Sequence, residues 1–246
     1  MTASVRGILL DIEGTTTPIA FVHHVLFQYA RSRIKEYVSE HCGFGEVLSD
    51  LARLRQEHAA DVERNSHSPM LSENSDNEID SIIAYLQWLI DRDSKSTALK
   101  SLQGKIWREG YLDGTLKAPL FKDVAPALRR WSRCGLRISI FSSGSSLAQR
   151  LLFAHTQAGD LTEYIDNYFD TTIGPKKANE SYRRIAFASR LPATQILFIS
   201  DIVPELDAAR EANMQTRLCV RPGNQPQPSM GHKSVQSFDE IGVLGG

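Results

Sequence analysis

Two carboxylates follow the first apolar segment of the chain, two residues apart. Asp11 and Glu13 come directly after the apolar residues 5–10 and are followed by Gly14 and three threonines. A buried strand that ends in a polar loop presents such side chains at one edge of a sheet. One carboxylate can attack phosphorus and become an acyl phosphate, while the other protonates the leaving oxygen and then activates water. The alternative is that both acids only cap the loop and bind solvent.

A second polar segment follows the apolar residues 136–141. It reads Ser142-Ser143-Gly144-Ser145 and stands in front of a stretch with helical spacing. Hydroxyls and backbone N–H groups at a strand-to-helix junction form a site for anions, so Ser142 or Ser143 can hold a phosphoryl oxygen. The alternative is a helix cap formed by serine, with glycine for the turn.

Two further charged residues follow in an order that fits the same chemistry. Lys176, after a Gly-Pro turn, can neutralise both a phosphate and a carboxylate nucleophile, whereas we expect Lys177 to be solvated. Asp201 ends the apolar run 196–199 and can complete an oxygen site for Mg²⁺. Glu205 either adds a second acid to that site or only favours the N-terminus of the next helix.

Alternating apolar runs and helical stretches predict an α/β fold with a doubly wound parallel sheet. Ligands of such sheets bind outside the carboxyl ends of the strands, where all four polar signals fall. One interval, residues 19–121, has helical periodicity and no convincing strand. It is too long for a connection, so we expect an inserted helical cap within a core made of residues 1–18 and 122–246.

Composition excludes several classes of function. The 246 residues carry a formal net charge of −1, which argues against a nucleic-acid or membrane-surface partner. Three cysteines without a CxxC pair fit a reducing cytoplasm better than a disulfide framework. We found no signal peptide and no apolar run long enough to span a membrane. A monomer is expected, with surface loops at the polar stretches 65–77 and 221–228.

The four signals resemble, in this order, the motifs of the haloacid dehalogenase-like (HAD) hydrolases. The match is wider for the enolase-phosphatase E1 family of methionine salvage and spans most of residues 11–222. It rests on the segments DIEGTTTPIAFVHHVLFQYAR, LQGKIWREGYLDGTLKAPLFKDV, FSSGSSLAQRLLFAHT, GPKKANESYRRIA and ILFISDIVPELDAAREAN. HAD phosphatases in general have Asp two residues after the nucleophile. Glu is the enolase-phosphatases' own residue there, so Glu13 supports the narrower assignment.

The resemblance implies a HAD-like Rossmannoid core with a helical cap and a bifunctional reaction. A 2,3-diketo-5-methylthiopentyl-1-phosphate would be enolised and then dephosphorylated to the acireductone 1,2-dihydroxy-3-keto-5-methylthiopentene, with one Mg²⁺ ion. Asp11 would be the nucleophile and a metal ligand. Glu13 would be the acid/base and would offer its backbone carbonyl to the metal. Its longer side chain also makes it a candidate for the enolising base.

The same resemblance assigns the other site residues. Ser142 and Ser143 would bind the substrate phosphate, Lys176 would bridge phosphate and nucleophile, and Asp201 would bind Mg²⁺. The segment 104–111 is a candidate for the part of the cap that faces the substrate, the alternative being a helix anchored by its tryptophan.

Three competing functions remain open at this point. A HAD phosphatase for other small phosphate esters is the main alternative, because the motifs define phosphate chemistry while the cap selects the leaving group. A haloacid dehalogenase would need no metal, which makes Asp201 and Glu13 hard to explain. A binding protein without activity would leave the complete set of catalytic residues idle.

Overall fold

The computed structural model describes residues 4–64, 67–72, 75–92 and 94–242. Its six strands are β1 (Gly7–Leu10), β2 (Arg137–Phe141), β3 (Asn167–Phe169), β4 (Ile196–Ser200), β5 (Gln215–Cys219) and β6 (Lys233–Val235). The α-helices are α1 (Ile19–Phe21), α2 (Phe27–His41), α3 (Gly45–Glu63), α4 (Ser75–Asp91), α5 (Thr97–Leu112), α6 (Val124–Arg133), α7 (Ser146–Ala154), α8 (Asn179–Ala188) and α9 (Val203–Glu211). A π-helical turn, Val22–Leu26, separates α1 from α2.

The six strands form one parallel sheet in the order β3-β2-β1-β4-β5-β6. This order and the helices between consecutive strands from β1 to β5 confirm the predicted α/β class. The chain changes direction across the sheet at β1, whose neighbours are β2 and β4. Leu10 is aligned with Ile140 of β2 and Ile199 of β4, so residues that follow these positions leave the sheet at one edge. A parallel sheet binds its ligands at such a switch point.

Burial explains why the strands end where they do. All four residues of β1 and all five of β4 are buried, as expected for strands covered by helices on both faces. On one face Phe198 packs in a core with Tyr182 of α8 and Leu206 of α9. The first polar or charged residue therefore follows directly after the apolar run, at the carboxyl edge of the sheet.

The chain divides into two compact units. One comprises Met1–Val22 and Leu116–Gly246, and the other comprises His23–Thr115. The boundaries predicted from the sequence lie between residues 18 and 19 and between residues 121 and 122. They enclose an insertion slightly longer than the second unit. The chain enters the second unit at the π-helical turn, where no change of composition signals a boundary.

Helices α2 to α5 build the second unit, and its described residues include no strand. Ile34, Leu54 and Leu86 are among the side chains that form its interior, each essentially inaccessible to water. A glutamate holds the start of α5, because Glu57 Oε1 accepts hydrogen bonds from Thr97 N at 3.1 Å and Ala98 N at 3.2 Å. The unit therefore has its own apolar core.

Trp107, in the segment 104–111, packs inside the helical unit. Its side chain is buried, and its indole N–H donates to the carbonyl of Leu26 at 2.8 Å. The ring stacks against Phe27 at a centroid distance of 6.3 Å. These contacts favour the anchoring role of Trp107 over a substrate-facing one.

The two polar stretches, residues 65–77 and 221–228, differ in part from the prediction made from the sequence. Residues 75–77 belong to α4, so the loop before it is shorter than predicted, and positions 65, 66, 73 and 74 lie outside the described residues. Residues 221–228 have no helix or strand, yet three of their side chains contact the loops after β1 and β4. The stretch is a surface loop, as predicted, and most of its residues are exposed, but these three contacts were not expected from the sequence. Within the described ranges, no helix is both long and apolar enough to cross a membrane.

A buried ion pair fixes the start of that stretch. The Arg221 guanidinium donates to both oxygens of Asp123, at 2.9 and 2.8 Å, and lies between the rings of Phe121 and Phe238. Asp123 also accepts a hydrogen bond from Phe238 N at 2.6 Å. Burial opposes ionisation of Asp123, but these two donors outweigh it and hold its pKa below the ordinary value.

We predict that Asp123→Asn destabilises the protein at neutral pH by about 3 kcal/mol, because it leaves the Arg221 charge buried without its partner. A carboxylate with a lowered pKa stabilises the fold above its unfolded pKa, and that contribution is lost as the pH falls through the folded pKa. The wild type should therefore lose more stability than the variant below about pH 4. Thermal melts from neutral to acid pH measure this.

The control is Asp239→Asn, which removes an exposed carboxylate that pairs with Arg130 at 3.3 Å. We expect it to change the stability at neutral pH by less than about 1 kcal/mol. Equal effects of the two substitutions would contradict the role given to the buried pair.

Candidate active site

Asp11 is the first residue after β1 and lies at the switch point of the sheet. Its backbone N–H donates to Ile199 O at 3.0 Å, and its side chain is almost fully buried. The chain then turns tightly, because the N–H groups of Thr16 and Thr17 both donate to Ile12 O at 2.9 Å. The turn holds the Asp11 carboxylate at the carboxyl edge.

Lys176 joins two acids at this edge. Its Nζ lies 2.5 Å from Asp11 Oδ1 and 2.8 Å from Glu205 Oε2, and its side chain is 11% exposed. The buried Tyr182, one turn into α8, donates its hydroxyl to Lys176 O at 2.6 Å and fixes the backbone at this position. Glu205 Oε2 also accepts from Ser200 Oγ at 3.1 Å. Glu205 therefore orients the lysine as well as lying at the start of α9.

The cluster contains more acidic side chains than basic ones. Burial on its own would lower the pKa of Lys176, but the charges of Asp11 and Glu205 outweigh it and raise that pKa above the ordinary value. Burial, followed by the charges of Asp11 and Glu205, raises the pKa of Asp201 to about 8. Burial and the Asp11 charge raise the pKa of Glu205 to about 7, although Lys176 opposes this. The ammonium group of Lys176 thus interacts with three carboxyl groups, and this excess of negative charge favours the binding of an additional cation.

Asp201 follows β4 and is nearly inaccessible to water, yet its Oδ1 has no hydrogen-bond partner among the described atoms. Gly14 lies against it with φ at +73°, and a Cβ at this position would collide with Asp201 Oδ2. Only glycine gives both this backbone conformation and this close approach. The loop after β1 is therefore held directly against the Asp201 carboxylate.

The donor set fits a hard cation such as Mg²⁺. In the part of the chain that the structure describes, no three His, Cys, Asp or Glu side chains converge enough to enclose a metal by themselves. Mg²⁺ does not need such an enclosure, because it typically takes one or two carboxylates and completes its shell with water and phosphate oxygens. The unpartnered Oδ1 of Asp201 is an oxygen acceptor of this kind.

Ser142 and Ser143 follow β2 at the same edge. Ser142 is buried, its N–H donates to Phe169 O at 3.2 Å, and its Oγ accepts from Gly144 N at 3.2 Å. Its hydroxyl proton can still be donated to an anion. Ser143 is exposed, and the cap of α7 is Ser145, whose Oγ accepts from Ala148 N at 3.3 Å. The helix-cap role thus belongs to Ser145 rather than to Ser142 or Ser143.

Direct contacts join Asp11, Lys176 and Glu205, and Asp201 interacts with all three through charge. Glu13 lies half-buried in the loop after β1, with its backbone bridged to Thr17. Lys177 is exposed, as predicted.

Three side chains of the stretch 221–227 make contacts beside the site that the sequence did not predict. Arg221, Asn224 and Gln227 donate to the carbonyls of Thr15, Gly14 and Asp201, respectively. Carbonyl acceptors are present at every residue, so no spacing of residue types indicated these contacts.

Known proteins are similar to this chain in sequence and in fold. Residues 5–213 match the family model for haloacid dehalogenase-like hydrolases. The chain is 48% identical to enolase-phosphatase E1 of Synechococcus elongatus, with 97% of this chain and 98% of the relative covered. It is 45% identical to enolase-phosphatase E1 of Pseudomonas aeruginosa, with 98% and 99% covered.

A solved structure, that of the UTR4 protein from Saccharomyces cerevisiae, superposes with a TM-score of 0.79 at 33% identity and covers 97% of this chain and 100% of its own. The structure of CbbY from Rhodobacter sphaeroides shares the fold, with a TM-score of 0.58 at 16% identity and with 98% and 97% covered. These matches confirm the resemblance found in the sequence motifs.

Proposed function

Because the chain belongs to the haloacid dehalogenase-like hydrolases and, within them, to the enolase-phosphatase E1 family, we propose that it enolises and dephosphorylates 2,3-diketo-5-methylthiopentyl-1-phosphate. The product would be the acireductone 1,2-dihydroxy-3-keto-5-methylthiopentene. The observation that carries the proposal is the buried Asp11 carboxylate at the switch point of the sheet, paired with the Lys176 ammonium, which Glu205 binds in turn.

In the proposed phosphatase step, Asp11 is the nucleophile and Glu13 the acid/base. An Asp11 carboxylate oxygen bonds to phosphorus as the ester P–O bond breaks, and Glu13 donates its proton to the leaving oxygen. Glu13 then takes a proton from water, the water oxygen attacks phosphorus, and the acyl phosphate releases inorganic phosphate and Asp11. Splitting the displacement in this way replaces one difficult step by two easier ones.

The other residues act on charge and orientation. Lys176, already paired with Asp11, would reduce the repulsion between the carboxylate and the phosphate dianion. The hydroxyl of Ser142 and the neighbouring Ser143 would hold phosphoryl oxygens as charge moves toward the leaving group. Removing one such preorganised donor typically costs about two to three orders of magnitude in kcat.

We propose that one Mg²⁺ ion is held by the carboxylates of Asp11 and Asp201 and by the backbone carbonyl of Glu13. When bound, it would supply positive charge that stabilises the phosphoryl group and the enolate oxygen. The unpartnered Oδ1 of Asp201 and the excess of acids over lysine support this assignment.

Glu13 is the proposed base for enolisation. We predict that Glu13→Gln loses both half-reactions, because one carboxylate would serve the carbon acid and the leaving group. Absorbance of the enol and release of inorganic phosphate report the two halves separately. Loss of phosphate release with enol formation at the normal rate would assign the enolising base to another residue.

The test of the whole proposal follows enol absorbance and phosphate release together on the diketo phosphate, with Mg²⁺ and with EDTA. We expect the enol signal to rise and decay, with phosphate release that requires Mg²⁺. Phosphate release from generic esters without turnover of the diketo compound would instead support a HAD phosphatase of other substrate class. Dehalogenase activity that survives EDTA would contradict the phosphatase assignment.

We further propose a monomeric enzyme of the cytoplasm. Three free cysteines, one of them the buried Cys219, support a reducing compartment. Light scattering coupled to size-exclusion chromatography tests the monomer, because a stable dimer would have twice the molar mass of the chain.

A further inference from the structure

The C-terminal stretch 221–227, here called the strap, connects the two loops that carry the proposed metal ligands. Arg221 Nε donates to Thr15 O at 3.2 Å and Asn224 Nδ2 to Gly14 O at 3.0 Å. Gln227 Nε2 donates to Asp201 O. One short segment thus binds the backbone beside Asp11 and the backbone of Asp201 itself.

The strap is anchored at both of its ends. Arg221 is buried, paired with Asp123, and donates a further hydrogen bond to Gln236 O at 2.8 Å. Gln227 uses its second amide atom as well, since Oε1 accepts from Val203 N at 3.3 Å, the first residue of α9. Gln227 therefore ties Asp201 to the start of the helix that carries Glu205.

Asn224, in the middle of the strap, has a fixed orientation. Its Nδ2 donates to Gly14 O and, at 3.4 Å, to Cys219 O, which directs Oδ1 to the other side. Oδ1 is buried without a hydrogen-bond partner in the described structure. A Cβ on Gly14 would meet both this oxygen, at 3.0 Å, and the Asp201 carboxylate.

Asn224 Oδ1 and the Asp201 carboxylate, through its Oδ2, thus lie against the same glycine, and the other carboxylate oxygen, Asp201 Oδ1, is also buried without a partner among the described atoms. Buried oxygen acceptors without donors are costly, and a cation or the water molecules bound to it can satisfy them. We propose that Asn224 and Gln227 are positioning residues of the divalent-cation site, which set the distance between the loop after β1 and Asp201. This inference rests on the cation site of the proposed function and not on the identity of the substrate.

The test measures Mg²⁺ binding to the full chain without substrate, by calorimetry, and Mn²⁺ binding by electron paramagnetic resonance. The variants are Asn224→Ala and Gln227→Met, and Gln225→Ala is the matched control because Gln225 is an exposed residue of the same strap. We expect the Kd for both ions to rise about tenfold in the two variants and to stay unchanged in the control. We expect excess Mg²⁺ to restore phosphate release.

A role limited to stability would lower the melting temperature of Asn224→Ala and Gln227→Met without changing the Kd, and this result would overturn the inference. Equal weakening in Gln225→Ala would overturn it too. Asp201→Asn serves as the variant expected to lose binding. If the wild type binds neither ion, the inference fails for every substrate. If it binds both but does not turn over the diketo phosphate, only the proposed substrate is wrong.

Discussion

Asp11→Asn should abolish phosphate release, with a loss in kcat of about four orders of magnitude or more, as found when a covalent nucleophile is removed. Asparagine has nearly the same shape, but its amide does not attack phosphorus. The backbone hydrogen bond from residue 11 to Ile199 O does not involve the side chain, so the sheet edge is expected to persist. The measurement is phosphate release from the diketo phosphate at saturating Mg²⁺.

A second readout separates chemistry from binding. Rapid quenching of the wild type in acid should trap a phosphoryl group on Asp11, visible by mass spectrometry, and the variant should trap none. Circular dichroism controls for folding. A variant that retains activity within about tenfold of the wild type would contradict the covalent mechanism, since that loss is too small for a missing nucleophile.

Lys176→Met is expected to have a large effect on both activity and stability, because it removes the ammonium that pairs with Asp11 and Glu205 in a buried group of acids. We expect kcat to fall by at least about two orders of magnitude, the loss typical of one preorganised electrostatic contact. Breaking a buried ion pair on one side also costs about 3–5 kcal/mol of stability. The same substitution at Lys177, which is exposed, should leave both quantities nearly unchanged.

The stability of Lys176→Met should depend on pH in a defined direction. In the wild type the pKa of Asp201 is already raised to about 8 and that of Glu205 to about 7, and Lys176 opposes both shifts. Without the lysine, both values rise further. Acids whose pKa is higher in the folded state take up protons on folding, so stability falls as the pH rises. The melting temperature of Lys176→Met should therefore approach that of the wild type as the pH is lowered from about 8 to about 5. A deficit independent of pH would contradict the unpaired-acid explanation.

Much of the site could be predicted because its residues follow directly from apolar strands. Asp11 and Asp201 come at the ends of β1 and β4, and Ser142 comes at the end of β2. Fully buried strands give continuous apolar runs, and parallel strands bring their carboxyl ends to one edge. These two facts are enough to predict from the sequence alone that the polar signals lie at one edge of the sheet.

Other features leave no such trace in the sequence. Strand β6 has three residues, only one of them buried, and is too short for a periodic pattern. The strap has the Pro- and Gly-rich composition of a solvent-exposed loop, and Arg221, Asn224 and Gln227 bind carbonyls whose position only the fold determines. The role of Trp107 depended on which face of α5 is covered by Leu26 and Phe27, and sequence spacing alone left both roles open.

The position of β1 in the sheet has a consequence for how the protein is made. β1 is synthesised first, but its two neighbours, β2 and β4, begin at Arg137 and Ile196. Pairings of such long sequence separation form slowly, whereas helices with mostly local contacts form quickly. On the ribosome, residues 23–115 can therefore become compact while β1, which precedes the proposed nucleophile, still has no neighbouring strand. The proposed nucleophile, Asp11, therefore meets Lys176, Asp201 and Glu205 only after these residues have been synthesised, so chains that end before them carry the aspartate without the groups that set its reactivity.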